Sequence, residues 1–199
     1  MKRLVTIALV AAAVFGAVLI GLALTHDGKA SVPPRTVEAI SPPPSTAVVA
    51  PARKVGRPTR VVIPALELDE PLHAVGLLPN GDMETPRFTE VGWYDRGPRP
   101  GAPGPAVVVA HVHGPAGDDV FAHLDELETG DRVTVRRTDG ASTFVVDTVE
   151  QASKGKLPYR RIWSDGRQPV LRLITCAGTP DPVTRVYPDN TIVYLRLSR

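Results

Sequence analysis

With 199 residues, of which 43% are hydrophobic and 22% charged, the chain is long enough for one main domain with a buried core. A formal net charge of +2 is too small to indicate nucleic-acid binding, and we expect no nucleic-acid partner. The single cysteine, Cys176, cannot form an internal disulfide, so the core must stabilise the fold.

Residues 1–26 combine a basic tip with a long apolar run. Lys2 and Arg3 precede the uncharged stretch Leu4–Leu24. At about 1.5 Å per residue, a helix of this length would span the roughly 30 Å hydrocarbon core of a membrane. The basic tip predicts a cytoplasmic N-terminus and places everything after His26 outside the cell. A cleaved signal peptide is the alternative, but its apolar region is usually only about 7–15 residues long, so we favour an uncleaved single-pass anchor in the cell membrane.

Residues 27–58 predict an extended linker. Prolines punctuate Ala, Val, Ser and Thr, and no hydrophobic period is present from which a core could be built. Such a segment is extended and semi-rigid, which suits a stalk between the membrane and a folded domain of residues 59–199. A proline-rich docking ligand is the less favoured alternative.

Residues 59–199 show many short strand patterns separated by turn residues. Asn80-Gly81 and Asp139-Gly140 are typical of hairpin turns. The candidate strands are Arg60–Ile63, Glu90–Tyr94, Ala106–Ala110, Arg132–Arg136, Thr143–Val149, Leu171–Cys176 and Thr191–Leu197. This succession favours a mainly β fold, a closed or nearly closed barrel.

One helix outside the apolar run is predicted. Phe121, Leu124 and Leu127 recur at helical spacing, with Asp118 or Asp119 as the N-cap and Gly130 at the end. The stretch from Gln151 to Gln168 is polar and carries Lys154, Lys156, Arg160 and Arg161, so we interpret it as a loop beside the cysteine strand.

Cys176 ends a strand whose side chains alternate between two faces. Leu171, Leu173 and Thr175 form one face, and Arg172, Ile174 and Cys176 form the other. Gly178 and Pro180 then stop the strand. A lone cysteine is more often a small buried hydrophobe than a nucleophile. An unpaired cysteine is nevertheless unusual outside the cell, so we keep Cys176 as a candidate for a functional thiol.

His111 follows the apolar strand Ala106–Ala110, as Cys176 follows its own strand. Two strand ends can be neighbours in a barrel, and a thiol beside an imidazolium loses its proton more easily and becomes a nucleophile. The plainer interpretation is that His111 only satisfies a loop carbonyl, and His113 and His123 compete for the role. His111, His113 and Cys176 could also ligate zinc, but with one cysteine and no second cluster the signal is weak.

These motifs resemble those of sortases. Ala110-His-Val-His113, after a valine-rich strand, is similar to the histidine motif of the family, and Leu173-Ile-Thr-Cys176 to its cysteine motif. Other segments are similar in type and order to the actinobacterial class E/F branch, with class F favoured: Val91–Tyr94, Gly97–Pro105, Val120–Leu124 and Tyr187–Asn190. The resemblance covers about Thr59 to Leu197.

The resemblance implies an eight-stranded β-barrel with one or two short helices, anchored on the outer face of a Gram-positive membrane. In this family a cysteine attacks the Thr–Gly bond of a C-terminal LPXTG-like signal on a surface protein. An amine of a peptidoglycan precursor or of another surface protein then resolves the thioester. Carried over, Cys176 is the nucleophile, His111 the general acid and later the base, and Thr175 and His113 bind substrate. No metal or organic cofactor is implied.

Three positions depart from the family pattern: Pro188, His113 and Ala110, which stands where the family usually has Gly. The arginine that usually follows the tyrosine of a Tyr-Arg-Asp-Asn segment is replaced by Pro188, which has no charge and no N–H. Arg185 is the only arginine between Cys176 and the last strand, and we hypothesise that it stabilises the oxyanion instead. His113 stands where the family usually has Asp or Asn, and it adds a titrating group. Any other single arginine, such as Arg172, is more often a solvated surface charge.

Three functions follow from these residues. The first is a cell-surface cysteine transpeptidase of sortase type. The second is a cysteine hydrolase on the same barrel, in which water takes the acyl group. The third is a catalytically impaired, sortase-like binding module, which Pro188 makes plausible. In each of them the Gln151–Gln168 segment is the expected wall of a substrate groove.

Overall fold

The computed structural model describes residues 55–163 and 166–199. One α-helix, α1 (Tyr159–Ile162), and three 3-10 helices (Pro64–Leu66, Leu124–Glu126 and Lys154–Lys156) occur in these residues. The strands are β1 (Pro58–Ile63), β2 (Leu68–Val75), β3 (Val91–Tyr94), β4 (Gly104–Val109), β5 (His113–Gly114), β6 (Gly117–Asp118), β7 (Arg132–Arg137), β8 (Gly140–Ser153), β9 (Pro169–Ala177) and β10 (Asp189–Leu197).

Eight of these strands form a closed barrel in the order β1-β2-β3-β4-β9-β10-β8-β7. The pairs β2–β3 and β4–β9 are parallel, and the other pairs are antiparallel. Strands β5 and β6 form a separate two-stranded sheet directly after β4. The mainly β, eight-stranded barrel expected from the sequence is therefore confirmed.

The barrel interior is filled by aliphatic and aromatic side chains that alternate along each strand. Leu171 and Leu173 of β9 point inward, and the cross-strand residues Val193 and Leu195 of β10 join them. Period-two alternation brings such side chains to one face of a strand. Closure leaves the sheet without free edges.

The outer face of β9 and β10 is also covered. Ile174, Ile192 and Tyr194 pack there with Leu157 and Ile162 from the segment that carries α1. β4 and β9 are thus buried on both faces along most of their length, as the continuous apolar run in β4 indicates. Two-sided burial makes the ends of these strands a rigid place from which to present side chains.

The helix predicted between Asp118 and Gly130 is wrong. Asp118 belongs to β6, and only the 3-10 helix Leu124–Glu126 forms in this stretch. The backbone N–H groups are used elsewhere, because Asp119 donates to Val112 O (3.0 Å) and Phe121 to His111 O (3.0 Å). Phe121, Leu124 and Leu127, the apolar residues on which the helix prediction was based, are all buried in the barrel interior.

The interpretation of Gln151–Gln168 as a polar loop is also wrong in part. β8 continues to Ser153, and α1 lies within the stretch. Leu157 and Ile162 are buried against the outer face of the barrel. The apolar residues of this stretch stand among many charges, so this packing could not be recognised in the sequence.

The predicted anchor and most of the predicted linker lie outside the described residues. No helix among residues 55–163 and 166–199 is long and apolar enough to cross a membrane. The proposed boundaries at residues 26 and 58 stay predictions.

Phe121 provides a test of the core. Its side chain is fully buried (0% exposed), whereas Phe88 is 48% exposed. Phe121→Ala should lower the free energy of unfolding by about 3–5 kcal/mol, because it deletes a buried ring and leaves a cavity. Phe88→Ala, the control, should lower it by about 1 kcal/mol or less. Urea denaturation measures both, and equal losses would contradict this placement of Phe121.

Candidate active site

The parallel ladder between β4 and β9 brings the two strand ends together. The last paired residues are Val109 and Ile174, and the Ala110 N–H still donates to Ile174 O at 3.4 Å. Ala110 and Thr175 are buried toward the interior. The next residue on each strand, His111 and Cys176, therefore turns to the outer face at the same level of the barrel. Both side chains are half-buried.

Thr175 holds the two ends in register. Its hydroxyl donates to the Ala110 carbonyl at 2.9 Å. The bond spans the strand pair one residue before the candidate catalytic residues. Thr175 was predicted to bind substrate; in this structure its hydroxyl is used within the protein, and the substrate role stays a prediction.

His111 is oriented by the segment before β3. Its Nε2 lies 2.9 Å from Pro86 O, and because a carbonyl oxygen only accepts, Nε2 carries the hydrogen. The Phe88 ring packs against the imidazole with centroids 4.6 Å apart. No hydrogen bond joins His111 to Cys176, and Nδ1 has no polar partner among the described residues. Nδ1 is thus the nitrogen available for proton exchange.

The segment over His111 is itself tied down. The Thr89 N–H donates to both carboxylate oxygens of Asp119, at 2.9 and 3.1 Å. Asp119 in turn donates its own N–H to Val112 O, next to the histidine. Pro86 and Phe88 are therefore held against the strand end that carries His111.

On the other side of Cys176, β10 contributes Asn190. The two residues are direct cross-strand partners, and Asn190 is buried. In the orientation that satisfies its hydrogen bonds, the amide nitrogen donates to Thr175 O and Asp189 O, at 3.2 Å each. Asn190 thereby ties β10 to the backbone of Thr175, directly before the cysteine. The sequence showed it only as part of a motif, with no indication of this contact.

Lys154 is the cation at the thiol. Its Nζ lies 3.5 Å from Cys176 Sγ, and the side chain is only 9% exposed. Sequence reasoning counted Lys154 among the charges of a polar loop and did not assign it to the site. Only the strand pairing shows that Lys154 lies near the cysteine. β8 and β10 pair Ala152 with Asn190, and β10 and β9 pair Asn190 with Cys176.

Position 188 lies at the same end of the barrel. The Lys154 N–H donates to Pro188 O at 3.0 Å. Gly178, two residues after the cysteine, has φ +82°, and a Cβ there would meet Pro188 Cγ at 2.9 Å. Only glycine fits so close an approach with a left-handed backbone. The departure from the family pattern at Pro188 therefore falls beside Cys176.

Arg185 sits in the loop between β9 and β10 and is exposed. Its φ is +60°, a left-handed conformation that is unusual for arginine, and its N–H donates to Asp181 O at 2.8 Å. Hydrogen bonds from Thr184, and then from Val183, hold the pKa of Asp181 below its usual range. The Arg185 side chain has no polar contact with the described residues, so the structure does not join it to Cys176.

His113 makes its contacts within the small sheet and the loop before β10. Its Nδ1 lies 3.0 Å from the Tyr187 hydroxyl, and its Nε2 lies 3.0 Å from Asp118 Oδ1. Asp118 is also 3.6 Å from His123, which is exposed. These contacts connect the segment after His111 with the segment before β10. Whether His113 binds substrate stays a prediction.

Arg172 does not fit the expectation of a solvated charge. It is buried on the outer face, where its guanidinium lies 4.8 Å from the Tyr194 ring centroid and donates to Leu171 O at 2.9 Å. Burial lowers the pKa of Arg172 to about 10, and burial raises that of Tyr194 to about 12. Arg172 is buried, and not solvated as expected, because the segment that carries α1 covers this outer face of the barrel. Arg172 stabilises this face and takes no part in the site.

Within residues 55–163 and 166–199, no group of three or more His, Cys, Asp or Glu side chains is arranged to hold a metal ion. The zinc set considered for His111, His113 and Cys176 does not assemble, because His113 is bound to Tyr187 and Asp118.

Comparison with solved structures identifies the fold. The type III crystal structure of Streptococcus agalactiae Sortase C1 matches with a TM-score of 0.55 and 21% identity, covering 71% of this chain and 66% of that one. Sortase C-1 from Actinomyces oris matches with a TM-score of 0.57 and 20% identity, covering 71% and 73%. SortaseC1 from Streptococcus suis matches with a TM-score of 0.55 and 20% identity, covering 72% of this chain and 74% of that one. The chain thus spans just under two thirds of the S. agalactiae protein.

No curated protein sequence matches the chain. A sequence model of the sortase domain matches residues 61–198, which include every strand end that forms the site. Together with the barrel and the position of its cysteine, this match shows that the chain belongs to the sortase family.

Proposed function

We propose that the chain is a cell-surface cysteine transpeptidase. It cleaves an LPXTG-like sorting signal between Thr and Gly through a thioester on Cys176, and transfers the acyl group to an amine of peptidoglycan or of another surface protein. The observation that supports this most strongly is the parallel pairing of β4 with β9, which ends at Val109 and Ile174, two residues before His111 and Cys176. A thiol and an imidazole that follow adjacent strands suit acyl transfer.

In the acylation step, the Cys176 thiolate attacks the threonine carbonyl of the signal. A sulfur–carbon bond forms, and the carbon–nitrogen bond to glycine breaks as the tetrahedral intermediate collapses. The leaving amine needs a proton, which protonated His111 supplies from Nδ1, since Nε2 is bound to Pro86 O. The acyl group is then held as a thioester, and the glycine fragment leaves.

In the second step, the incoming amine attacks the thioester and gives its proton to His111. The carbon–sulfur bond breaks, and Cys176 leaves as a thiolate. The proton that His111 lost in the first step is thereby restored, so one histidine serves as acid and then as base. No cofactor takes part in either step.

The oxyanion of the tetrahedral intermediate requires a donor or a positive charge. We retain Arg185 for this role, with Thr175 and His113 as substrate-binding residues. Support for Arg185 is indirect: its left-handed backbone is costly for a non-glycine residue, and it lies in the loop that links β9 to Pro188. The exposed guanidinium has no competing polar partner among the described residues.

Class and location belong to the same proposal. The order of the motifs supports the actinobacterial class E/F branch, with class F favoured. The apolar run Leu4–Leu24 behind a basic tip supports a single-pass membrane anchor, a cytoplasmic N-terminus and an extracellular catalytic domain. Its partners would then be surface proteins that carry LPXTG-like signals and an amine at the cell wall.

The proline at position 188 favours a second candidate function. Pro188 removes a charge at a position that lies against the turn after Cys176. A barrel of this kind without an oxyanion donor would be a slow enzyme or a binding module. A cysteine hydrolase is the remaining alternative, and it differs only in using water for the second step.

The assay that separates these functions uses the full-length chain in mild detergent with a fluorogenic LPXTG-type peptide, with and without an added amine. We expect cleavage, and in the presence of amine a product that carries it. Cys176→Ala should abolish cleavage, and His111→Ala should slow it by on the order of 100-fold or more.

His73→Ala is the matched control, because His73 is exposed on β2, and it should cleave as the wild type does. Product without incorporated amine would show hydrolysis instead. Absence of cleavage across a small library of signal peptides would contradict the enzyme proposal.

Arg185 is tested by two variants that remove its charge. Arg185→Ala and Arg185→Gly should both slow thioester formation by on the order of 100-fold, the usual effect of losing an oxyanion donor. Arg185→Gly should be the more stable of the two by about 1 kcal/mol, because glycine tolerates the φ of +60°. Unchanged acylation in both variants, measured by intact mass after rapid mixing, would remove Arg185 from the mechanism.

A further inference from the structure

Lys154 is unusual among the described residues because it is a buried cation whose ammonium contacts a sulfur atom. Only Lys154 and Arg172 are buried basic side chains there. Arg172 has an aromatic ring and two carbonyl oxygens as partners. The Lys154 ammonium has one polar partner, the sulfur of Cys176 at 3.5 Å.

Because the Lys154 ammonium is buried, its free energy depends on whether the Cys176 sulfur is ionised. Lysine is almost never buried unless it is paired, because an unpaired ammonium loses its hydration without compensation. An ammonium group only donates hydrogen bonds, and a neutral thiol is a weak acceptor. A thiolate carries a full negative charge at the same position. The contact is therefore most favourable when Cys176 is ionised.

No nearby carboxylate competes for the ammonium. Asp189 is paired with Ser153 across the strands, one residue before Lys154, but its Oδ2 accepts from Gln151 at 2.7 Å. Glu150, farther along β8, is bound to Arg161. Among the described contacts, the Cys176 sulfur is the one group that can become an anion beside Lys154.

The backbone that carries the ammonium is also fixed before any substrate arrives. The Lys154 N–H donates to Pro188 O at 3.0 Å, and the residue begins a 3-10 helix that leads to buried Leu157. Its backbone is thus fixed to the residue that directly precedes β10. A charge placed in advance costs little reorganisation when the reaction occurs.

We propose that Lys154 is a further catalytic residue, whose ammonium forms an ion pair with the Cys176 thiolate and keeps the nucleophile ionised. The inference rests on the proposed role of Cys176 as the nucleophile. On ionisation the thiol proton passes to water or to His111, and Lys154 keeps all three of its hydrogens. Thioester formation removes the negative charge from sulfur, and attack by the amine returns it, so the ammonium also favours departure of the cysteine.

Alkylation of Cys176 by iodoacetamide tests the pair without any peptide substrate. The full-length chain in mild detergent is treated at neutral pH, and intact mass gives the rate constant. Lys154→Met keeps the length of the side chain and removes the charge. It should slow alkylation by roughly fivefold or more, because the variant loses the thiolate that Lys154 stabilises. The higher nucleophilicity of each remaining thiolate offsets that loss only in part.

Two variants serve as controls. Lys156→Met removes an exposed charge from the same 3-10 helix and should alkylate at the wild-type rate. Lys154→Arg keeps the charge and should stay within about twofold of the wild type. Wild-type alkylation in Lys154→Met would overturn the proposal. Equal slowing in Lys154→Met and Lys154→Arg would overturn it as well, because charge would not be the cause.

A folding defect in Lys154→Met would not end the test. The thiolate of the wild type absorbs in the ultraviolet, and the difference from Cys176→Ala at neutral pH measures the ionised fraction directly. A predominantly neutral thiol would overturn the proposal. Rapid, Lys154-dependent alkylation without cleavage of any peptide would instead contradict the proposed transpeptidase and leave the ion pair standing.

Discussion

The parallel pairing of β4 with β9 is the constraint on which the site depends. It ends at Val109 and Ile174 and is continued by the Ala110 N–H and the Thr175 hydroxyl. Because side chains alternate along a strand, a slip of one residue on either strand would turn His111 or Cys176 into the core. Because both strands are buried on both faces, such a slip would cost much burial free energy. The packing of the barrel therefore stabilises the register that keeps His111 and Cys176 on the outer face.

The charge beside the thiol comes from the side of β9 that lies opposite to β4. β10 separates β9 from β8, yet it is the end of β8 that brings a buried ammonium to Cys176. His111 and Lys154 thus lie on segments that are distant in sequence and that flank Cys176 on either side of β9. This division suits the two tasks proposed above, proton transfer by His111 and charge stabilisation by Lys154, while Pro188 at the same end contributes only a carbonyl oxygen.

Much of this arrangement could be predicted from local patterns. Period-two alternation and turn residues predicted the strand ends that carry His111 and Cys176, and the match to the sortase domain confirms the family. The helix after Asp118 was mispredicted because Phe121 and its neighbours have helical spacing but donate backbone hydrogen bonds to the strand end at His111. Lys154 and Arg172 could not be recognised as buried, because only the pairing of β8, β9 and β10 and the packing of α1 cover them.

The most direct test of the account is a disulfide between the two strand ends. In the His111→Cys variant, neighbouring strands about 4.8 Å apart place the new thiol within disulfide reach of Cys176. Mild oxidation should give an intramolecular disulfide, seen by intact mass as the loss of two hydrogens without dimerisation. His73→Cys, exposed on β2, should not form one. If the two variants were equally resistant to internal pairing, His111 and Cys176 would not be neighbours, and the proposed chemistry would lose its structural basis.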